Sequence, residues 1–184
     1  DSQGNANGQA DYGESLMLNV ELQNVGDQPA TGLIATISSS DPYISIIDDN
    51  EAYPDIAAGA TATVNQAFAV DVAQDVPDDY IIHFDLLVSG ADNWESVFEI
   101  TAFAAELQCQ HLAIDDATGG NGNNRLDAGE TVDIMISLIN NGHSLSPDIS
   151  ASLSSVSPYL DITNANYTAS GLAAGEALDA TFSL

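Results

Sequence analysis

Lysine is absent from this chain, and arginine occurs once, at Arg125. Against that single cation stand 28 acids, for a formal net charge of −27. No basic face can be assembled from one arginine, which argues against binding nucleic acid or an anionic membrane by charge. Self-repulsion of this size destabilises the compact state unless cations screen it. Bound metal, a salty medium or both are therefore expected, and the composition suits a salt-exposed surface protein. Cysteine also occurs once, at Cys109, so no intrachain disulfide can form. Its expected role is that of a small buried apolar residue. No apolar run approaches the ~20 residues of a membrane span, and no membrane insertion is expected. The opening residues do not read as a signal peptide. The chain is expected to be mature, excised or incomplete, a window from a longer array.

What is present is alternation. Leu16, Leu18, Val20 and Leu22 share one face of a predicted strand, with Asn19, Glu21 and Gln23 on the other. Leu33, Ala35 and Ile37 form the next stripe. Tyr80, Ile82, Phe84, Leu86 and Val88 form the clearest one, with His83 and Asp85 outward. Short strands separated by turn residues predict an all-β fold of the sandwich type, and no segment reads as a helix. Composition at 45% hydrophobic rules against disorder despite the charge.

Two loops carry the distinctive chemistry. Asn5, Asn7, Gly8, Asp11 and Glu14 occupy relative positions 3, 5, 6, 9 and 12 of an EF-hand-type loop. Asn121, Asn123, Asn124, Asp127 and Glu130 repeat them. A hard cation takes six to eight oxygens, and alternate residues of a curled loop aim several inward. The backbone carbonyls of Gln9 and Arg125 are further candidate ligands. Position 1 holds Gln3 or Gly119 instead of Asp, so the missing acid is expected from upstream: Asp1 in the first copy, Asp115 or Asp116 in the second. The competing reading is a polar turn with no metal. A second copy with the same spacing favours calcium.

The loops belong to a longer repeat. At an offset of 116, residues 4–46 share 15 identities in 43 positions without a gap, among them Gly26/Gly142, Pro42/Pro158 and Tyr43/Tyr159. The expected domains are 1–105 and 106–184. The first is expected to lack its opening strand and the second its closing strands, either because the chain is a window or because neighbouring subunits donate them.

The run Gly-Asn-x-Asn-x-x-x-Asp-x-Gly-Glu, then a strand ending Leu-x-Asn-x-Gly or its variant, then Ser-Ser-x-x-Pro-Tyr, resembles the immunoglobulin-like repeat modules of large secreted and cell-surface proteins of Bacteroidetes-type bacteria. Such modules accompany gingipain-type and subtilisin-type peptidases and occur in giant adhesins. The resemblance implies tandem immunoglobulin-like sandwiches, extracellular or cell-surface, with a non-catalytic stalk, spacer or adhesin role. Partners would be neighbouring modules, with self-assembly into filaments by strand exchange as an alternative, and an accessory role beside a secreted peptidase as another.

No catalytic constellation competes with this. His83, His111 and His143 are scattered and lack a local nucleophile motif. Cys109 and His111 can share a strand face, but two ligands do not make a zinc site. Trp94 is either a sugar-stacking platform or, more often in a sandwich, core.

Overall fold

The computed structural model describes residues 4–184. It is all-β, with no helix among the described residues. The chain divides into two compact units, Asp1–Phe103 and Ala104–Leu184. The division falls before Ala104 because its carbonyl accepts the N–H groups of His143 and Ser144.

The first unit contains β1 (Ala10–Asp11), β2 (Ser15–Gln23), β3 (Leu33–Ser38), β4 (Ile44–Asp48), β5 (Asn50–Tyr53), β6 (Thr61–Val72), β7 (Tyr80–Ser89) and β8 (Asn93–Phe103). They form a five-stranded sheet in the order β1-β8-β7-β3-β5 and a three-stranded sheet in the order β2-β6-β4. Both sheets contribute to one buried core. Ala35, Ile37, Ile82 and Phe84 enter it from the first, and Leu16, Phe68 and Val70 from the second. Period-two alternation is the cause: each strand lends one apolar face and keeps its polar face in water. Tyr53 of β5 ties the two sheets by donating its hydroxyl to Val20 O of β2, at 2.9 Å.

The second unit contains β9 (Leu107–Gly119), β10 (Thr131–Asn140), β11 (Ile149–Ser152), β12 (Asn166–Ala169) and β13 (Ala177–Ser183). Its sheets are β13-β10-β9 and β11-β12. Strand register repeats that of the first unit at the offset of 116. Leu33 pairs with Tyr53 and Thr36 with Asn50; Ile149 pairs with Ala169 and Ser152 with Asn166. Val20 pairs with Val64 and Gln23 with Thr61; Ile136 pairs with Ala180 and Ile139 with Ala177. The matched register thus reaches Ala180, well past the stretch of frequent identities; beyond it the first unit shifts by two residues, with Leu18 opposite Phe68 where the offset would place Gln66. Among the described residues of the second unit, nothing corresponds to β7 and β8.

An asparagine organises the same corner twice. Asn24 Nδ2 donates to Gln28 O and Ile56 O, and Asn140 Nδ2 donates to Ser144 O and Leu172 O. The side-chain carbonyls of Asn24 and Asn140 accept the N–H of Gly26 and Gly142, both at 3.0 Å. Asn140 is fully buried and also accepts from Glu106 N. One side chain therefore satisfies backbone groups that no strand ladder reaches.

Two sequence expectations fail here. Cys109 is exposed, because β9 is an outer strand of its sheet and its alternation carries no burial. Trp94 is 44% exposed. Beyond it the sheet is thin: β1 meets β8 only at Ala102 and Phe103, so the Trp94 end of β8 lies at a margin.

Asn140→Ala strands several buried backbone groups, and each lost partner costs about 1–3 kcal/mol. Urea unfolding should show a larger loss for this variant than for Asn24→Ala, whose side chain is only partly buried. Equal losses would mean that burial does not set the cost.

Candidate metal-binding loops

The two acidic loops are held by their flanking strands. The first lies between Gly4 and β2, and the second joins β9 to β10. Each turns through left-handed backbone at equivalent positions: Ala6 and Gly122, Gly8 and Asn124, Gly13 and Gly129. Glycine and asparagine adopt this conformation at least cost.

The hydrogen bonds to the glutamate and aspartate carboxylates match in pairs. Asn5 N donates to Glu14 Oε1 at 2.8 Å, and Asn121 N to Glu130 Oε1 at 3.0 Å. Asp11 N donates to Glu14 Oε2 at 3.3 Å, and Asp127 N to Glu130 Oε2 at 3.2 Å. The amides of Asn5 and Asn7 both donate to Asp11 Oδ2, as those of Asn121 and Asn123 do to Asp127 Oδ2. Each glutamate thus clamps the loop with both oxygens, and each aspartate gathers two asparagines.

Glycine at loop position 2 makes the clamp possible. A Cβ on Gly4 would lie 2.1 Å from Glu14 Oε1, and one on Gly120 would lie 2.9 Å from both Asp116 Cβ and Glu130 Cδ. Position 1 of the second loop has a steric explanation too. Gly119 pairs with Thr131 across the ladder, and a Cβ there would sit 2.4 Å from Thr131 O. No side chain fits, so no side-chain ligand can come from that position.

Asp116 takes the central place in the second loop. It is 1% exposed. Its Oδ2 accepts the N–H of Gly122 and Asn123, and its Oδ1 that of Asn124. Asp115 turns elsewhere and accepts Ala117 N. Loss of water around Asp116 pushes its pKa up, and the converging backbone N–H groups more than offset this, so the net shift is downward. Asp127 is also lowered, chiefly by the Asn123 and Asn121 amides, with help from Arg125 and against desolvation and the Asp116 charge. In the first loop Asn7 N instead meets Asn5 Oδ1, and Gln9 N meets Asn7 Oδ1. Asp11 and Glu14 are buried. Asp1 lies outside the described residues.

Asp116, Asn121, Asn123, Asp127 and Glu130 thus converge on one loop, as do Asn5, Asn7, Asp11 and Glu14. The donor sets are oxygen-only, the chemistry a hard cation takes. A carboxylate oxygen that accepts one N–H keeps a lone pair, and asparagine amides can rotate to present oxygen in place of nitrogen. The residues present fit a calcium-class ion. Sequence spacing left Asp115 or Asp116 open; burial and the three backbone N–H groups from Gly122, Asn123 and Asn124 separate them in favour of Asp116.

No family model and no curated protein matches the chain. Among solved structures it is similar to the secreted serine protease VesC from Vibrio cholerae, at 12% identity and a TM-score of 0.33, over 95% of this chain and 44% of that one. The chain therefore spans less than half the length of that protein, and at this TM-score the likeness carries no argument.

Asp116 and Asp127 have folded pKa values below their unfolded ones. Their contribution is complete above the ordinary aspartate value of about 3.9 and is lost as pH falls through the lowered folded values. Amide NMR signals of Gly122, Asn123 and Asn124 should move together as acid is added below about pH 4, and Asp116→Asn should remove that transition. Signals that are indifferent to acid would contradict the assignment.

Proposed function

We propose that this chain is a pair of immunoglobulin-like modules of a non-catalytic extracellular or cell-surface protein, serving as stalk, spacer or adhesin segment. Calcium bound in the loops before β2 and β10 stiffens each module where the chain enters its first long strand. The observation that carries this reading is the pair of loops in which a glutamate takes two backbone N–H groups and an aspartate gathers two asparagine amides at equivalent positions, with Asp11, Glu14 and Asp116 buried, in a chain with one Lys or Arg. A polar turn needs no such duplication of Asp, Asn and Glu. In the second module Asp116, Asn121, Asn123, Asp127, Glu130 and the Arg125 carbonyl would hold the ion. In the first, Asn5, Asn7, Asp11, Glu14 and the Gln9 carbonyl would, with Asp1 as a candidate further acid. The bound ion would supply positive charge that the sequence otherwise lacks and so relieve repulsion among the carboxylates.

A second reading, assembly into filaments by strand exchange between copies, draws on one observation: among the described strands β2 is the outermost of its sheet.

Thermal unfolding with calcium and with a chelator, followed together with particle size, tests both. Calcium at about 100-fold over its dissociation constant should add about 2.7 kcal/mol per site. The expected result is a higher melting point with small particles, and loss of the effect at the second site in Glu130→Gln. Growth into fibres would favour strand exchange. No response to calcium would sink the metal reading.

A further inference from the structure

The one Lys or Arg of the sequence lies inside one of the two loops. Arg125 stands where Gln9 stands in the first loop, at the offset of 116, and both residues are exposed. The carboxylate frames around them are alike, but the charges are not. Among the described residues, the first loop gathers the carboxylates of Asp11 and Glu14. The second gathers those of Asp127 and Glu130 and adds Asp116, which is buried. The extra carboxylate and the extra cation therefore occur in the same loop. Gln9 plays a neutral part: its Oε1 accepts Asn7 Nδ2 at 3.1 Å. A guanidinium offers donors only, so Arg125 cannot take that part, and its charge is fixed at any ordinary pH. Beside the Asn123 and Asn121 amides, that charge helps hold the Asp127 carboxyl below its ordinary pKa.

Resting on the metal reading above, we propose that Arg125 is the built-in counter-ion of the second loop and sets the calcium concentration at which that loop fills. Without metal, its charge offsets one of three converging carboxylates. When a divalent cation enters, the same charge opposes it at short range. The candidate ligand at this position is the backbone carbonyl, so a change of side chain leaves the donor set intact and alters only the field. Coulomb's law gives the size of the effect. A divalent ion and a guanidinium on the order of 8 Å apart in water-like surroundings repel enough to change affinity about five-fold. Salt screens the repulsion, since the Debye length falls from about 10 Å at 0.1 M to about 3 Å at 1 M. The second loop is thereby tuned by salt as well as by calcium.

The test is a calcium chloride titration of the full chain at low salt and at about 1 M salt. Amide NMR signals of residues 121–124 report the second loop, and those of residues 5–8 the first. Arg125→Gln installs the neutral residue of the first loop, Arg125→Lys keeps the charge, and Gln9→Arg places a charge in the first loop. In Arg125→Gln the second loop should fill at about five-fold lower calcium at low salt, with the difference fading at high salt. Arg125→Lys should titrate like the native chain, and Gln9→Arg should move the first loop to higher calcium by a similar factor. The loop left unchanged in each variant controls for net charge. An unmoved midpoint in a second loop that still binds calcium overturns the inference and leaves the metal reading standing. So does a shift shared equally by both loops, or an Arg125→Lys chain that behaves like Arg125→Gln, which would assign the effect to shape. Calcium that moves the signals of neither loop in any chain overturns the metal reading, and this inference with it.

Discussion

A carboxylate removed from water in this chain has one arginine in the whole sequence as a possible cationic partner. Burying a charge without compensation is costly, yet Asp11, Glu14 and Asp116 are buried. The compensation comes from N–H dipoles. Glu14 and Glu130 each receive two backbone N–H groups, and Asp116 receives three. The loops curl as they do because their backbone must turn these donors inward, and left-handed residues at matched positions let it.

The second device of the fold answers the same problem for neutral groups. Where a strand ends and the chain turns, backbone donors and acceptors lose their ladder partners. Asn24 and Asn140 satisfy them with one side chain each. Both devices are local in sequence, within about a dozen residues on one side, with one distant strand or loop on the other. That is why they survive as recognisable copies although most residues between them differ. Hydrophobic positions can exchange Leu for Ile or Val and keep the core face. Asparagine at this corner, or glycine against the glutamate clamp, has no equivalent replacement.

The units diverge where a neighbour is involved. β2 ends a sheet that β10 continues through β9. The same strand pattern therefore supports one partner in the first unit and two in the second. Whether a strand lies outermost among the described strands or between two of them leaves no mark in its alternation, since the pairing groups are backbone atoms common to every residue.

The all-β class, the strand starting at Ser15, the inward stripe of β7 and the repeated loops were legible from spacing alone, because period-two alternation and turn residues are local signals. Tyr80–Val88 reads as a strand in isolation and is one in the fold. The extension of the matched register to Ala180 was not legible, since ladder pairing uses backbone atoms while the side chains there differ. Exposure of Cys109 and Trp94 was equally invisible: burial depends on what lies across the sheet, and both sit where coverage stops. The selection of Asp116 over Asp115 required its burial and the backbone N–H groups of Gly122, Asn123 and Asn124, and the glycine at position 119 acquired its reason only from Thr131 across the ladder. Sequence by itself determined which residues bear oxygen and which bear hydrocarbon, because those are properties of the side chains. Tertiary structure decided which oxygens converge and which strands become neighbours, because both depend on backbone atoms brought together from distant parts of the chain.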